Sequence, residues 1–248
     1  MTSVVLGHIP LSILGICIFG FPNINGIYYI LLSAFLHFFY QIFLLNAYKY
    51  GELSEVYPIA RGISPLIITL ISLFLLSENI SIFEVMGILL ISVSILTYGL
   101  HNFLSNKVNM KGIVLAICTG CFIASYSLVD GHGARVTQNP IGFFSVMTLI
   151  NGLIFFVFVN WKQNDILKKI IIDGKVSFFI GGSSSFVAYG IVVWACLYLP
   201  IAIVSSIRET SIIFALLLGI YFLKEKLSFI KLLLIFGSCF GITLMRMV

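Results

Sequence analysis

Nine apolar stretches of about twenty residues follow one another along this chain with only short polar links between them, which limits the fold more than any motif does. They run at about 4–20, 27–46, 56–76, 82–101, 112–129, 141–160, 176–199, 201–223 and 229–247. A bilayer-spanning helix takes about 20 mainly apolar residues, so 248 residues hold nine of them with almost nothing left over. Hydrophobic residues make up 60% of the sequence and charged ones 9%, against about a quarter charged in a soluble domain. The chain therefore reads as an all-α, polytopic membrane protein. Membrane barrels alternate with period two over about ten residues, and these runs do not. The longest links are His101 to Lys111, Asp130 to Pro140 and Trp161 to Lys175, and none is long enough to fold alone. That excludes nucleic-acid-binding modules and chemistry housed in a loop domain.

The opening MTSVVLGHIPLSILGICIFG carries no Lys or Arg ahead of its apolar run, unlike a secretory signal, and is read as a retained span. Cys17, Cys118, Cys121, Cys196 and Cys239 all fall in apolar runs, where cysteine behaves as a small hydrophobe, so neither a disulfide framework nor a metal site is expected. His8, His37, His101 and His132 are widely spread, and no HExxH or GxSxG occurs. No enzyme activity, metal or cofactor is expected.

A shift of 147 residues sets VYPIARGISPLIITLISLFLLSENIS against IVSSIRETSIIFALLLGIYFLKEKLS. Arg61 then meets Arg208, Ser64 meets Ser211, Glu78 meets Glu225 and Ser81 meets Ser228. Apolar matches are cheap in such sequences; aligned polar residues are not. The third span corresponds to the eighth, an odd number of spans later, so the copies are expected to cross the membrane in opposite directions, as in many secondary transporters. Residues 1–104 form the first repeat with four helices and residues 111–248 the second with five; the partner of the fifth span would fall before residue 1. Eleven Lys and Arg residues lie on the side of the N-terminus and three, Arg135, Arg208 and Arg246, on the other. The positive-inside rule then places the N-terminus in the cytoplasm.

The segments AYKYGELSEVYPIARGISPLIITLISLFLLSENIS, YSLVDGHGAR and SSIRETSIIFALLLGIYFLKEKLS resemble the EamA-type module of the drug/metabolite transporter superfamily, over nearly the whole chain. The resemblance implies ten helices in two inverted five-helix repeats, a central cavity lined from both, and movement of small metabolites or drugs by alternating access. It also implies a cavity-lining first helix, which the repeat does not find here, and a cytoplasmic C-terminus, which the charge bias opposes.

Charges inside spans are costly and are kept mainly where they face a cavity or a partner. Arg61 and Arg208 stand early in their helices, near opposite membrane faces on the inverted reading. Each is either a half-site for carboxylate or phosphate beside free helix N–H groups, or an arginine that snorkels to the interface. Glu209 follows Arg208 with its side chain about 100° away, so at least one of the two faces protein or water. Glu209 and Asp130 are the candidates for proton coupling, although Asp130 opens the DGHGAR link and is also readable as a helix end. His37, Tyr40 and Gln41 share one helical face, as a cavity wall or as interhelical glue. Tyr57, Tyr126, Tyr189 and Trp194 complete the candidate lining, while Glu78 and Glu225 read as markers of a turn.

Two functions remain open: a carrier of a small organic metabolite or drug across the inner (plasma) membrane by alternating access, or a non-transporting membrane subunit or scaffold. The expected partners are the lipid bilayer and a small solute, with proton coupling and a homodimer as further expectations and nucleic acid excluded.

Overall fold

The computed structural model describes residues 2–106, 109–162, 170, 172–222, 224 and 228–247, and among them there is no strand. Ten α-helices are delimited: α1 Thr2–Phe19, α2 Ile27–Ala47, α3 Leu53–Phe74, α4 Ile82–Asn106, α5 Met110–Thr137, α6 Pro140–Lys162, α7 Gly182–Ala195, α8 Ile201–Glu209, α9 Ser211–Phe222 and α10 Phe229–Met245. A short π-helical stretch, Ser177–Gly181, leads into α7. Among the described residues eight stretches are long and apolar enough to cross a membrane, the eighth being α8 and α9 together, Ile201–Phe222. The ninth apolar run is α10, 17 residues long. The protein is thus all-helical and multi-pass, because in lipid a helix satisfies its backbone internally.

Helix starts are set by short-range polar chemistry. Ser81 and Glu84 exchange a reciprocal pair of bonds at the start of α4: Ser81 N–H donates to Glu84 Oε2 (2.6 Å), and Glu84 N–H to Ser81 Oγ (3.2 Å). Ser228, aligned with Ser81 by the 147-residue shift, caps α10 by accepting Lys231 N–H. Glu78 accepts the Ile201 N–H at 3.0 Å, covering the start of α8 just after Pro200. It is therefore a helix-terminus acceptor; Glu225 lies outside the described residues.

The expected link from Asp130 to Pro140 is instead helix, since α5 continues to Thr137. The DGHGAR run is polar because it faces protein: Asp130 is 1% exposed and Ala134 fully buried. A Cβ at Gly133 would stand 2.5 Å from the Phe143 ring and 2.9 Å from Tyr29 Cβ, so only glycine permits that approach. The real turn is Gln138, with φ of 53°, after which Asn139 Oδ1 accepts the Gly142 N–H in the first turn of α6. The link after His101 also shortens, because α4 runs to Asn106 and Asn102 donates to the Ser54 carbonyl of α3 (2.9 Å).

Two compact units result: Met1–Phe38 with Leu128–Tyr198, and Phe39–Ser127 with Leu199–Val248. In the first, α1 packs on α6 and α7, and a Cβ on Gly182 would stand 2.8 Å from Gly7 Cα. In the second, α4 packs on α3 and α10, and α8 lies against α3 and α4. Small residues let such helices approach where lipid provides no hydrophobic drive to association. Gly87 and Gly241 do so for α4 and α10, since a Cβ on Gly87 would sit 2.5 Å from the Gly241 carbonyl oxygen. Replacing Gly87 by Leu should therefore destabilise the protein by about 1–3 kcal/mol in detergent unfolding, while the same change at the exposed Val114 should leave it unaltered.

Candidate functional site

Among the described residues each unit buries a cluster built around a carboxylate. In the first, Asp130 of α5 collects donors from two other helices. Tyr189 of α7 donates its hydroxyl to Oδ2 at 2.7 Å, and His37 of α2 sets Nε2 3.0 Å from the same oxygen. Ser33, one turn before His37, donates to Oδ1. The His37 and Tyr189 rings also meet edge to face, 5.7 Å between centroids. Nearby, Arg135 Nε donates to the Cys196 carbonyl that ends α7 (2.8 Å), and Asn151 of α6 donates to the Ala34 carbonyl of α2 (3.2 Å).

In the second unit, Glu209 at the end of α8 is fully buried between two guanidinium groups. Arg208 places Nε and Nη2 at 3.2 and 3.0 Å from Oε1. Arg61 of α3 pairs through Nε with Oε2, and its Nη2 donates to Ser211 Oγ (3.1 Å) and reaches the Arg208 carbonyl (3.5 Å). The Arg61 guanidinium lies over the Tyr57 ring, 5.3 Å from its centroid. Tyr40 and Tyr126 contact each other at 5.1 Å, and both interact electrostatically with Arg61. Arg208 Nη1 donates to Ser127 at 3.4 Å.

The structure corrects the expected separation of the two arginines. Arg61 lies eight residues past Leu53 and Arg208 seven past Ile201, which at about 1.5 Å of rise per residue puts both roughly 10–12 Å into their helices. They are not at opposite faces, and they do not snorkel, since both approach one carboxylate. Asp130 is likewise no helix end. The candidates thus divide into Arg61, Arg208, Glu209, Tyr40, Tyr57 and Tyr126 in one cluster and His37, Asp130 and Tyr189 in the other. Gln41 is buried on α2 at 4% exposure. Trp194 stands apart, half exposed and edge-on to Tyr198. Ser33, Ser127 and Asn151 were not anticipated; only Ser33 carried a signal, four residues before His37 on the same helical face.

Buried charge set among helices long and apolar enough to cross a membrane makes this a multi-pass membrane protein with a polar interior. The sequence profile of the EamA-like transporter family matches residues 110–247, more than half of the chain, and the protein belongs to that family, within the drug/metabolite transporter superfamily. No curated protein matches it. Membership and fold both point to a transporter rather than an enzyme.

Losing single donors to Asp130 should be tolerated and losing the acceptor should not. Tyr189→Phe and Ser33→Ala should each cost about 1–2 kcal/mol. Asp130→Ala, which takes the shared acceptor from Ser33, His37 and Tyr189 at once, should cost more than either, as measured by thermal unfolding in detergent.

Proposed function

We propose that the protein is a secondary transporter that carries a small anionic or zwitterionic organic solute across the inner membrane by alternating access. The observation that carries this reading is the meeting of Arg61 and Arg208, equivalent in the repeat, on one buried carboxylate beside three tyrosines. A charge near the bilayer centre costs several kcal/mol and is kept where it serves a pathway. Guanidinium groups recognise carboxylate and phosphate through paired hydrogen bonds, and aromatic rings supply the apolar remainder of a small-solute site.

The packing supports two inverted repeats, residues 1–104 and 111–248. Helices that correspond in the repeat lie against each other: α3 with α8 and α4 with α10 in one unit, α1 with α6 in the other. With Arg61 and Arg208 inside spans, the remaining Lys and Arg residues still gather on the side of the N-terminus, which supports its cytoplasmic placement.

Asp130 suits proton coupling better than Glu209. Its partners, His37, Ser33 and Tyr189, are groups that exchange protons or reorient. Glu209 is held by two arginines, which do not release theirs.

Uptake of labelled organic acids and amino acids into vesicles tests both parts. Arg61→Ala and Arg208→Ala should each lower uptake at least tenfold, with Arg61→Lys failing to restore it because a point ammonium does not replace the planar fork. Unchanged uptake in both alanine variants would refute the arginine site. Asp130→Asn should retain downhill exchange and lose its response to an imposed pH gradient.

A further inference from the structure

Arg61 does more than neutralise Glu209: it spans the junction between α8 and α9. At Thr210 the bonding pattern tightens, with Thr210 N–H donating to the Ile207 carbonyl (3.1 Å) and Ile213 N–H to the Thr210 carbonyl (2.9 Å), each three residues apart. The Thr210 hydroxyl also donates to the Ile207 carbonyl at 2.6 Å. Arg61 crosses this interruption, touching the Glu209 carboxylate and the Arg208 carbonyl before it and the Ser211 hydroxyl after it. One side chain of α3 thereby holds both halves of a broken span.

The hold is geometrically incomplete. Both Glu209 oxygens are engaged, but on different arginines: Oε1 takes two donors from Arg208, and Oε2 meets Arg61 at Nε. The Arg61 Nη2 serves neutral acceptors at 3.1 and 3.5 Å. A carboxylate bound to Arg61 through both Nε and Nη2 would make the stronger, bidentate arrangement. Arg61 is also the reachable member, its side chain 14% exposed against none for Glu209. Exchanging one carboxylate for another at Arg61 leaves Glu209 paired with Arg208, so neither charge is stranded.

We propose that Glu209 is an internal stand-in for the carboxylate of the solute, and that a solute carboxylate taking its place on Arg61 releases the α8–α9 junction. This rests on the reading of the chain as a carrier of anionic or zwitterionic solutes, and it makes binding itself the event that frees a helix break, as a population shift requires.

The full-length protein in lipid nanodiscs tests it, with benzoate and glutamate as probes and benzylamine as the cationic control. Amide hydrogen exchange at residues 210–213 of the wild type should quicken at least tenfold with either carboxylate and not with benzylamine. Arg61→Ala should exchange fast without ligand and ignore all three. Glu209→Gln, which removes the competing charge at nearly constant volume, should be stabilised thermally at carboxylate concentrations at least tenfold lower than the wild type. If that variant does not fold, the exchange comparison of wild type with Arg61→Ala decides alone. Protection at the junction that does not change while the carboxylates bind overturns the proposal, and uptake that still depends on Arg61 would then leave the carrier reading standing. If neither carboxylate binds and uptake ignores Arg61, both fail.

Discussion

A bilayer interior offers no water to a polar group, so each one must find its partners within the protein. In this chain that requirement organises the buried carboxylates. Asp130 gathers a histidine, a serine and a tyrosine from two other helices, and Glu209 gathers two arginines, one of them from another helix. Glu78 and Ser81 serve backbone groups at helix starts. Each node fixes the rotation of the helices that meet there, because moving any member would leave a charge or a donor in hydrocarbon. Glycine contacts such as Gly87 on Gly241 bring further helices, here α4 and α10, into close approach.

The buried ion cluster is not an efficient way to stabilise a fold. Removing charges from water costs several kcal/mol per ion, and well-packed apolar side chains often do as well or better. Arg61, Arg208 and Glu209 therefore make little sense as packing, and their placement at a helix interruption is equally unhelpful to rigidity. Both choices suit a site that must recognise charge and then move. Family membership supplies the transport context, and on the proposed function these are the groups that serve it.

Spans were legible in the sequence because the length of an apolar run is the physical requirement itself: predicted 27–46 and 201–223 became Ile27–Ala47 and Ile201–Phe222. The 147-residue offset rests on aligned Arg, Ser and Glu, which are costly in lipid, and the two serines that it aligns, Ser81 and Ser228, each accept a backbone N–H at the start of a helix. The DGHGAR run was misread because polarity in a sequence does not say whether a residue faces water or a buried partner. Only the fold shows that Asp130 looks onto His37 and Tyr189, seven residues before α5 ends. Arg61 was misplaced for a related reason: depth counted from the edge of an apolar run ignores the polar first turn of α3, which begins at Leu53 rather than at 56. Nothing in the pattern distinguished Trp194, which stands apart, from Tyr189, five residues earlier on α7.

The two clusters differ in the kind of charge they hold, and on the proposed function that difference divides the labour. Guanidinium charge is permanent, so Arg61 and Arg208 present the same donors whatever the proton supply. They discriminate by geometry, through planar donors that fit a carboxylate. The Asp130 cluster is built from side chains that gain, lose or redirect protons, with no permanent cation among its partners. A carrier that recognised its solute with titratable groups alone would change its affinity with every shift of pH. One that relied on arginines alone would have no means of sensing a gradient. Keeping the two chemistries in separate nodes, each locked into its own compact unit, avoids both failures.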